Sequence, residues 1–203
     1  MELREALSQI SEIRGQIARS QIFRGYRSVT AGFSALMAMI ACLVQAWWLP
    51  DPSHNMRDYL RLWFAAAVLS LIVVAAEMIF RYRRTASELQ REITLHAVEQ
   101  FIPCLVAGAL LTFVLQRFAT HTLWMLPGLW AIVFSLGIFA SRRMLPRASK
   151  WVAGYYLIAG LVAIALAAQN GYGYSPWQMA GTFGAGQLIT SAMLYITLER
   201  RHV

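Results

Sequence analysis

Charged side chains are scarce in this chain. Asp, Glu, Lys and Arg make up only 14% of the 203 residues and 58% are hydrophobic, whereas about a quarter of the residues in a soluble domain are charged. Cysteine is scarcer still. Cys42 and Cys104 both fall inside apolar runs, so we interpret them as small apolar side chains rather than disulfide partners. The composition excludes a large soluble domain and indicates a chain that folds mainly in lipid.

Motifs of the common enzyme classes are also missing. The sequence has no phosphate-binding loop, no GxSxG, no HExxH and no CxxC. His96 and His121 fall at opposite edges of the predicted helix bundle, which is not the arrangement of paired haem ligands. Asp51, His54, Asp58 and His121 are metal-capable residue types, but their spacing is not diagnostic of a metal site. We therefore predict no cofactor and no metal, and we favour a function other than catalysis.

Six apolar runs have about the length that a helix needs to cross a hydrocarbon core of about 30 Å. They predict an all-α, polytopic integral membrane protein with transmembrane helices at 29–49, 62–80, 96–115, 123–140, 151–168 and 179–198. The second, fourth and sixth runs end in similar Ile- and Arg-containing sequences. This similarity indicates either three related helical hairpins or the ordinary basic ends of helices that enter the cytoplasm.

The basic residues are divided very unequally between the two sides of the predicted bundle. Fifteen lie on one side and only Arg57, Arg61 and Arg117 on the other. Because basic residues are retained in the cytoplasm, both termini are predicted there, including the short tail 200–203. This distribution explains the net charge of +8 without a nucleic-acid partner. All basic residues except Lys150 are arginines, which we interpret as a mark of a GC-rich bacterial genome, and hence of a bacterial inner membrane.

The first 27 residues predict an amphipathic cytoplasmic helix. Leu3, Leu7, Ile10, Ile13 and Ile17 form one apolar stripe. This helix is expected to lie on the membrane, to pack against the basic loops or to pair with a second copy. The basic residues nearest the bilayer are predicted to contact lipid head groups: Arg24, Arg27, Arg83, Arg84, Arg142 and Arg143.

Ionisable residues in the cytoplasmic half of the bundle predict a ligand site. Pro103 lacks the N–H that would bond the carbonyl of Glu99, so a free carbonyl and a carboxylate would coincide at one place. The residues expected to share this cavity are Glu77, His96, Glu99, Gln100, Pro103, Tyr156, Gln187, Thr190 and Tyr195. Three structural alternatives stay open: an i,i+4 pair of Glu77 with Arg81, a proline kink without a ligand, and hydroxyls bonded to their own helix.

Two functions follow from these features. The first is binding or transport of a small solute or lipid through the polar cavity, with membrane lipids as partners. The alternative is a membrane-embedded regulatory or assembly partner, in which the N-terminal helix and the basic loops contact another membrane protein or a second copy. A redox or lipid-modifying enzyme is a third class, which would need a cofactor or a catalytic pair at the cytoplasmic face.

Overall fold

The computed structural model describes residues 28–49, 52, 55–84, 88–143, 145–170 and 173–199. The predicted amphipathic helix of residues 1–27, with Arg24 and Arg27, lies outside the described residues, and so does the tail 200–203. The first three helices are α1 (Ser28–Trp48), α2 (Met56–Arg84) and α3 (Glu88–Phe118). A 3-10 helix, Thr120–Met125, leads into α4 (Leu126–Ala140), and α5 covers Ser149–Asn170.

The last helix, α6, has an irregular backbone. It begins at Pro176–Met179, widens into a π-helical turn at Ala180–Gly184, continues as Ala185–Leu194 and ends in a second π turn at Tyr195–Glu199. Single π turns of this kind are rare features of helices. Within the first of them, the carbonyl of Gly181 accepts a hydrogen bond from the Tyr155 hydroxyl on α5.

The all-helical prediction is confirmed, and so is the apolar character of the helices. Within the residues that the structure describes, five helices are long and apolar enough to cross a membrane: α1, α2, α3, α4 with its preceding 3-10 turn, and α5. The sixth run predicted from the sequence corresponds to α6, which its π turns divide into shorter pieces.

The helices run up and down, so their ends gather at two poles of the bundle. We call the pole where α1 ends and α2 begins the tryptophan end, because five of the seven tryptophans lie there: Trp47, Trp48, Trp63, Trp124 and Trp177. The opposite pole, where α2 ends and α5 begins, is the arginine end and carries Arg83, Arg84 and Arg142.

Helix α1 packs against α6 through a stripe of small residues. Every third or fourth residue of α1 from Ser28 to Gln45 is buried and most of these are Ser or Ala, while Val29, Leu36 and Leu43 point away from the bundle. Small side chains let two helix backbones approach closely. The Ser191 hydroxyl of α6 donates to the Ser28 carbonyl at 2.7 Å, which fixes this contact near the arginine end.

The crossing of α4 and α5 is tighter still. A Cβ atom placed on Gly128 would lie 2.5 Å from the carbonyl oxygen of Gly160, and one placed on Gly160 would lie 2.7 Å from the carbonyl oxygen of Gly128. The Ser135 hydroxyl donates to the Ala153 carbonyl at 2.8 Å further along. Glycine is therefore required on both helices where they cross.

Helices α2 and α3 lie at the periphery. Only 6% of the most apolar stretch of each is buried, compared with 44% for α1. The buried side chains of α2 are Tyr59, Leu60 and Trp63, all near the tryptophan end. Among the described side chains of α3 only Thr112 is buried, and it accepts a hydrogen bond from the Trp130 indole at 2.8 Å. Both helices are thus fastened to the bundle over part of their length.

Candidate functional site

Three of the four predicted site residues of α3 lie on the surface of the bundle. His96 Nδ1 is 3.4 Å from a Glu99 carboxylate oxygen, and these side chains are 55% and 79% exposed. Pro103 is exposed on the same face. That face points away from α4, because residues 99 and 103 lie opposite Phe101 and Cys104, which contact α4. The carboxylate and the proline break therefore face outward from the helices.

Three of the other predicted residues meet inside the bundle, around Gly186. The buried ring of Tyr156 packs edge-on against Phe134, with centroids 4.8 Å apart, and lies directly over the backbone of Gly186. Thr190 donates to the Gly186 carbonyl at 2.8 Å, so its hydroxyl is bonded within its own helix, as the structural alternative described. Gln187 is buried beside them.

The remaining predicted residues are separate from this group. Glu77 is half-buried on α2, and Tyr195 is 53% exposed on α6. Gln100 is half-buried, and its side-chain oxygen is buried with no hydrogen-bond partner among the described residues. The nine residues thus fall into a buried group on α5 and α6 and more exposed positions on α2, α3 and α6. Their assignment to a ligand stays a prediction.

The arginines predicted to contact lipid head groups are exposed at the arginine end wherever the structure describes their side chains. These are Arg83, Arg84 and Arg142, and the Arg84 guanidinium lies 4.0 Å from the centroid of the Phe80 ring. The side chain of Arg143 lies outside the described part of the chain. Head-group contact by these residues stays a prediction.

A cleft opens at the other pole, the tryptophan end, and has a volume of about 660 Å³. We call it the tryptophan-end cleft. None of the nine predicted site residues lines it. Its walls come from the start of α2, the end of α3, the 3-10 helix and the turn before α6: Met56, Arg57, Phe113, Gln116, Arg117, Thr120, His121, Leu123 and Tyr174. The volume falls within the usual range for small-molecule sites, about 300–1,000 Å³.

Buried hydrogen bonds hold the wall of this cleft in place. Gln45 on α1 donates from Nε2 to the carbonyl oxygen of Tyr174 at 2.6 Å and accepts from the Trp63 indole at 2.8 Å. The Tyr59 ring meets the Tyr174 ring edge-on, with centroids 5.4 Å apart. One fully buried amide therefore joins α1, α2 and the turn before α6, so that Tyr174 is fixed from two sides.

Among the described residues that line the cleft, the charged side chains are all of one sign. Arg57 and Arg117 are exposed there, and none of the described lining residues is a carboxylate. Asp58 is close in sequence, but it is bound to Arg61 at 3.0 Å. Within the described part of the chain neither Arg57 nor Arg117 has a carboxylate partner. The cleft therefore presents cations beside apolar lining residues, of which Phe113 is exposed and Leu123 is almost fully buried.

Tyr174, which lines the cleft, carries a neutral hydroxyl. Burial raises the pKa of this hydroxyl above its ordinary value, because loss of hydration disfavours the phenolate. The residue thus stays a hydrogen-bonding, uncharged group throughout the neutral range.

Among the described residues, no group of three or more His, Cys, Asp or Glu side chains is placed to hold a metal ion. Asp51 and His54 lie outside the described residues.

The sequence contained one signal for this cleft. Only three basic residues fall on the side opposite to the other fifteen, and two of them, Arg57 and Arg117, line it. The charge count alone does not predict that Arg57 on α2 and Arg117 on α3 line the same cleft, because their proximity depends on tertiary packing.

These features define the class of the chain: an all-helical protein with several helices long and apolar enough to span a membrane. Comparison with protein-family models, with curated proteins and with solved structures finds no match. The tryptophan-end cleft is therefore the basis on which a function is inferred.

Proposed function

We propose that this protein binds a small solute or lipid within a membrane and takes part in its transport, with the tryptophan-end cleft as the binding site. The observation that supports this is the composition of the cleft, in which arginines and polar groups adjoin Phe113, Leu123 and Met56. A site lined by apolar residues and a few convergent polar groups suits an amphiphilic ligand.

We also propose an orientation of the protein in the membrane. Because fifteen basic residues lie on one side, the arginine end faces the cytoplasm and the tryptophan end faces outward. In a bacterial inner membrane the cleft would then open at the outer leaflet, where tryptophan and tyrosine rings are enriched at the interface. A ligand would enter from the outer leaflet or from the periplasm.

The test uses the full chain in phosphatidylcholine nanodiscs and two short-chain probes, octyl phosphate and octyl glucoside. Calorimetric titration, corrected with empty nanodiscs, should show saturable binding of at least one probe. Gln116→Trp fills the cleft and should abolish this binding. Gln169→Trp is the matched control, because Gln169 is also exposed near the tryptophan end of its helix but does not line the cleft. Absence of saturable binding of both probes, or equal binding by the two variants, would overturn the proposal.

A second function, that of a membrane-embedded regulatory or assembly partner, is favoured by the exposed surface of α2. Beyond Trp63 none of its described side chains is buried, although many of them are large and apolar. Native mass spectrometry of the nanodisc-embedded chain, with and without residues 1–27, tests this function. It predicts a mass of more than one copy, or a stably bound partner, that is lost on deletion while probe binding is retained. A single unaccompanied copy in both samples would contradict it.

A further inference from the structure

We propose that the ligand of the tryptophan-end cleft is an anionic amphiphile, with an oxygen-rich head held between Arg57 and Arg117 and its apolar part against the exposed ring of Phe113. This inference rests on the proposed function and specifies the class of ligand. It follows from three observations about the placement of charge.

The first observation is where the exceptional arginines lie. Basic side chains on the outward side oppose the orientation that the other fifteen favour. Two of the three, which come from different helices, nevertheless line one cleft. Binding of a ligand would explain why these two arginines are present on the side where basic residues are otherwise rare.

The second observation is the difference between these two arginines and the third. Arg61 is bound to Asp58 at 3.0 Å and does not line the cleft. Arg57 and Arg117 have no carboxylate partner among the residues that the structure describes. Guanidinium groups form paired hydrogen bonds with phosphate and carboxylate oxygens, so two of them beside one cavity favour an anionic group of this geometry.

The third observation is the rest of the wall. Gln116, Thr120 and His121 supply further polar groups near the arginines, whereas the ring of Phe113 on the same wall is 62% exposed. A free inorganic anion would leave this apolar ring uncovered. An amphiphile covers it with its apolar part, and burial of that part adds to binding. The head group can belong to a lipid or to a small soluble amphiphile, since the two share this chemistry.

The experiment extends the titration described above. Octyl phosphate should bind about tenfold or more tightly than octyl glucoside, because charge-assisted hydrogen bonds strengthen the interaction of the head group. Arg57→Gln and Arg117→Gln should each weaken octyl phosphate binding by about tenfold and leave octyl glucoside unchanged. Arg61→Gln removes the same charge from the same pole and should leave both affinities unchanged. Thermal unfolding verifies that all three variants are folded.

Each outcome of the titration supports or overturns one part of the proposal. Equal binding of octyl phosphate and octyl glucoside by the unmodified chain would overturn the anionic class while the proposed function stands. Inorganic phosphate that binds as tightly as octyl phosphate would overturn the amphiphile. Equal losses in Arg61→Gln would overturn the assignment to Arg57 and Arg117. Displacement of octyl phosphate by dioleoyl phosphatidylglycerol in the nanodisc would identify the source as a lipid, and retention of octyl phosphate in its presence would identify it as a soluble amphiphile.

Discussion

The indole N–H of Trp63 on α2 donates a hydrogen bond to the side-chain oxygen of Gln45 on α1, 2.8 Å away, where both side chains are buried. The same amide reaches the carbonyl of Tyr174 with its nitrogen. Gln45 is therefore the junction through which the wall of the cleft is attached to two helices.

Replacing this amide should destabilise the fold. Gln45→Leu keeps much of the volume but leaves the Trp63 indole and the Tyr174 carbonyl buried without partners, at a cost of about 1–3 kcal/mol for each unpaired group. The thermal unfolding midpoint in detergent should fall clearly. Ser34→Ala is the control, because Ser34 is buried on the same helix but bonds only to the carbonyl of Thr30. Equal midpoints for the two variants would contradict a cross-helix role for Gln45.

The crossing of α4 and α5 predicts a contrast between two glycines of one helix. Gly160→Ala places a methyl group 2.7 Å from the Gly128 carbonyl and should destabilise the protein by about 1–3 kcal/mol, the usual range for overpacking. Gly154→Ala meets nothing within 4 Å. It should be neutral or stabilise the fold by about 0.4–1 kcal/mol. The two unfolding midpoints, measured side by side, check this expectation, and a loss in Gly154→Ala as large as that in Gly160→Ala would show that the crossing is misplaced.

Partial burial of Tyr174 predicts a loss of stability at alkaline pH. Its pKa is raised in the folded state, so the unfolded chain loses this proton at a lower pH than the folded chain does. The stability is fully present below the unfolded pKa of about 10 and declines as the pH rises through the folded pKa. Tyr174→Phe removes this titration and keeps the backbone carbonyl. Its unfolding midpoint should fall less than that of the parent between about pH 9 and 11. Parallel curves would count against the prediction.

Glu99 provides a test between the predicted and the observed environment. In the structure its carboxylate is exposed beside His96, so Glu99→Gln should change the free energy of unfolding by less than about 1 kcal/mol. Asp58→Asn, which breaks the exposed pair with Arg61, is a matched comparison and should behave alike. A much larger loss in Glu99→Gln alone would mean that the carboxylate lies inside the bundle, where the sequence predicts a cavity.

The helical character of the fold could be predicted because it depends on local composition. Apolar runs of membrane-spanning length indicate where helices form, and Pro127 in the first turn of α4 is compatible with helix geometry. The π turns of α6 were not predicted, and neither was the hydrogen bond from Tyr155 on α5 to the Gly181 carbonyl within the first of them, because it joins two helices. Sequence records no such contact.

The environment of the candidate site residues was beyond prediction for a similar reason. Glu99 and Pro103 share a helix face, and the sequence does not say whether that face meets a neighbour. The structure turns Phe101 and Cys104 toward α4 instead. The meeting of Arg57 and Arg117 likewise depends on how the ends of α2 and α3 converge, which charge counting along the chain does not contain.

The uneven burial of α2 decides where substitutions in it matter most. Its buried side chains end at Trp63, and from there to Arg84 the helix continues for about 30 Å at a rise of about 1.5 Å per residue. Over this length its described side chains are half-buried or exposed. A substitution there removes less packing than one at Tyr59 or Trp63, so the part of α2 that contributes most to the stability of the bundle is the part behind the cleft.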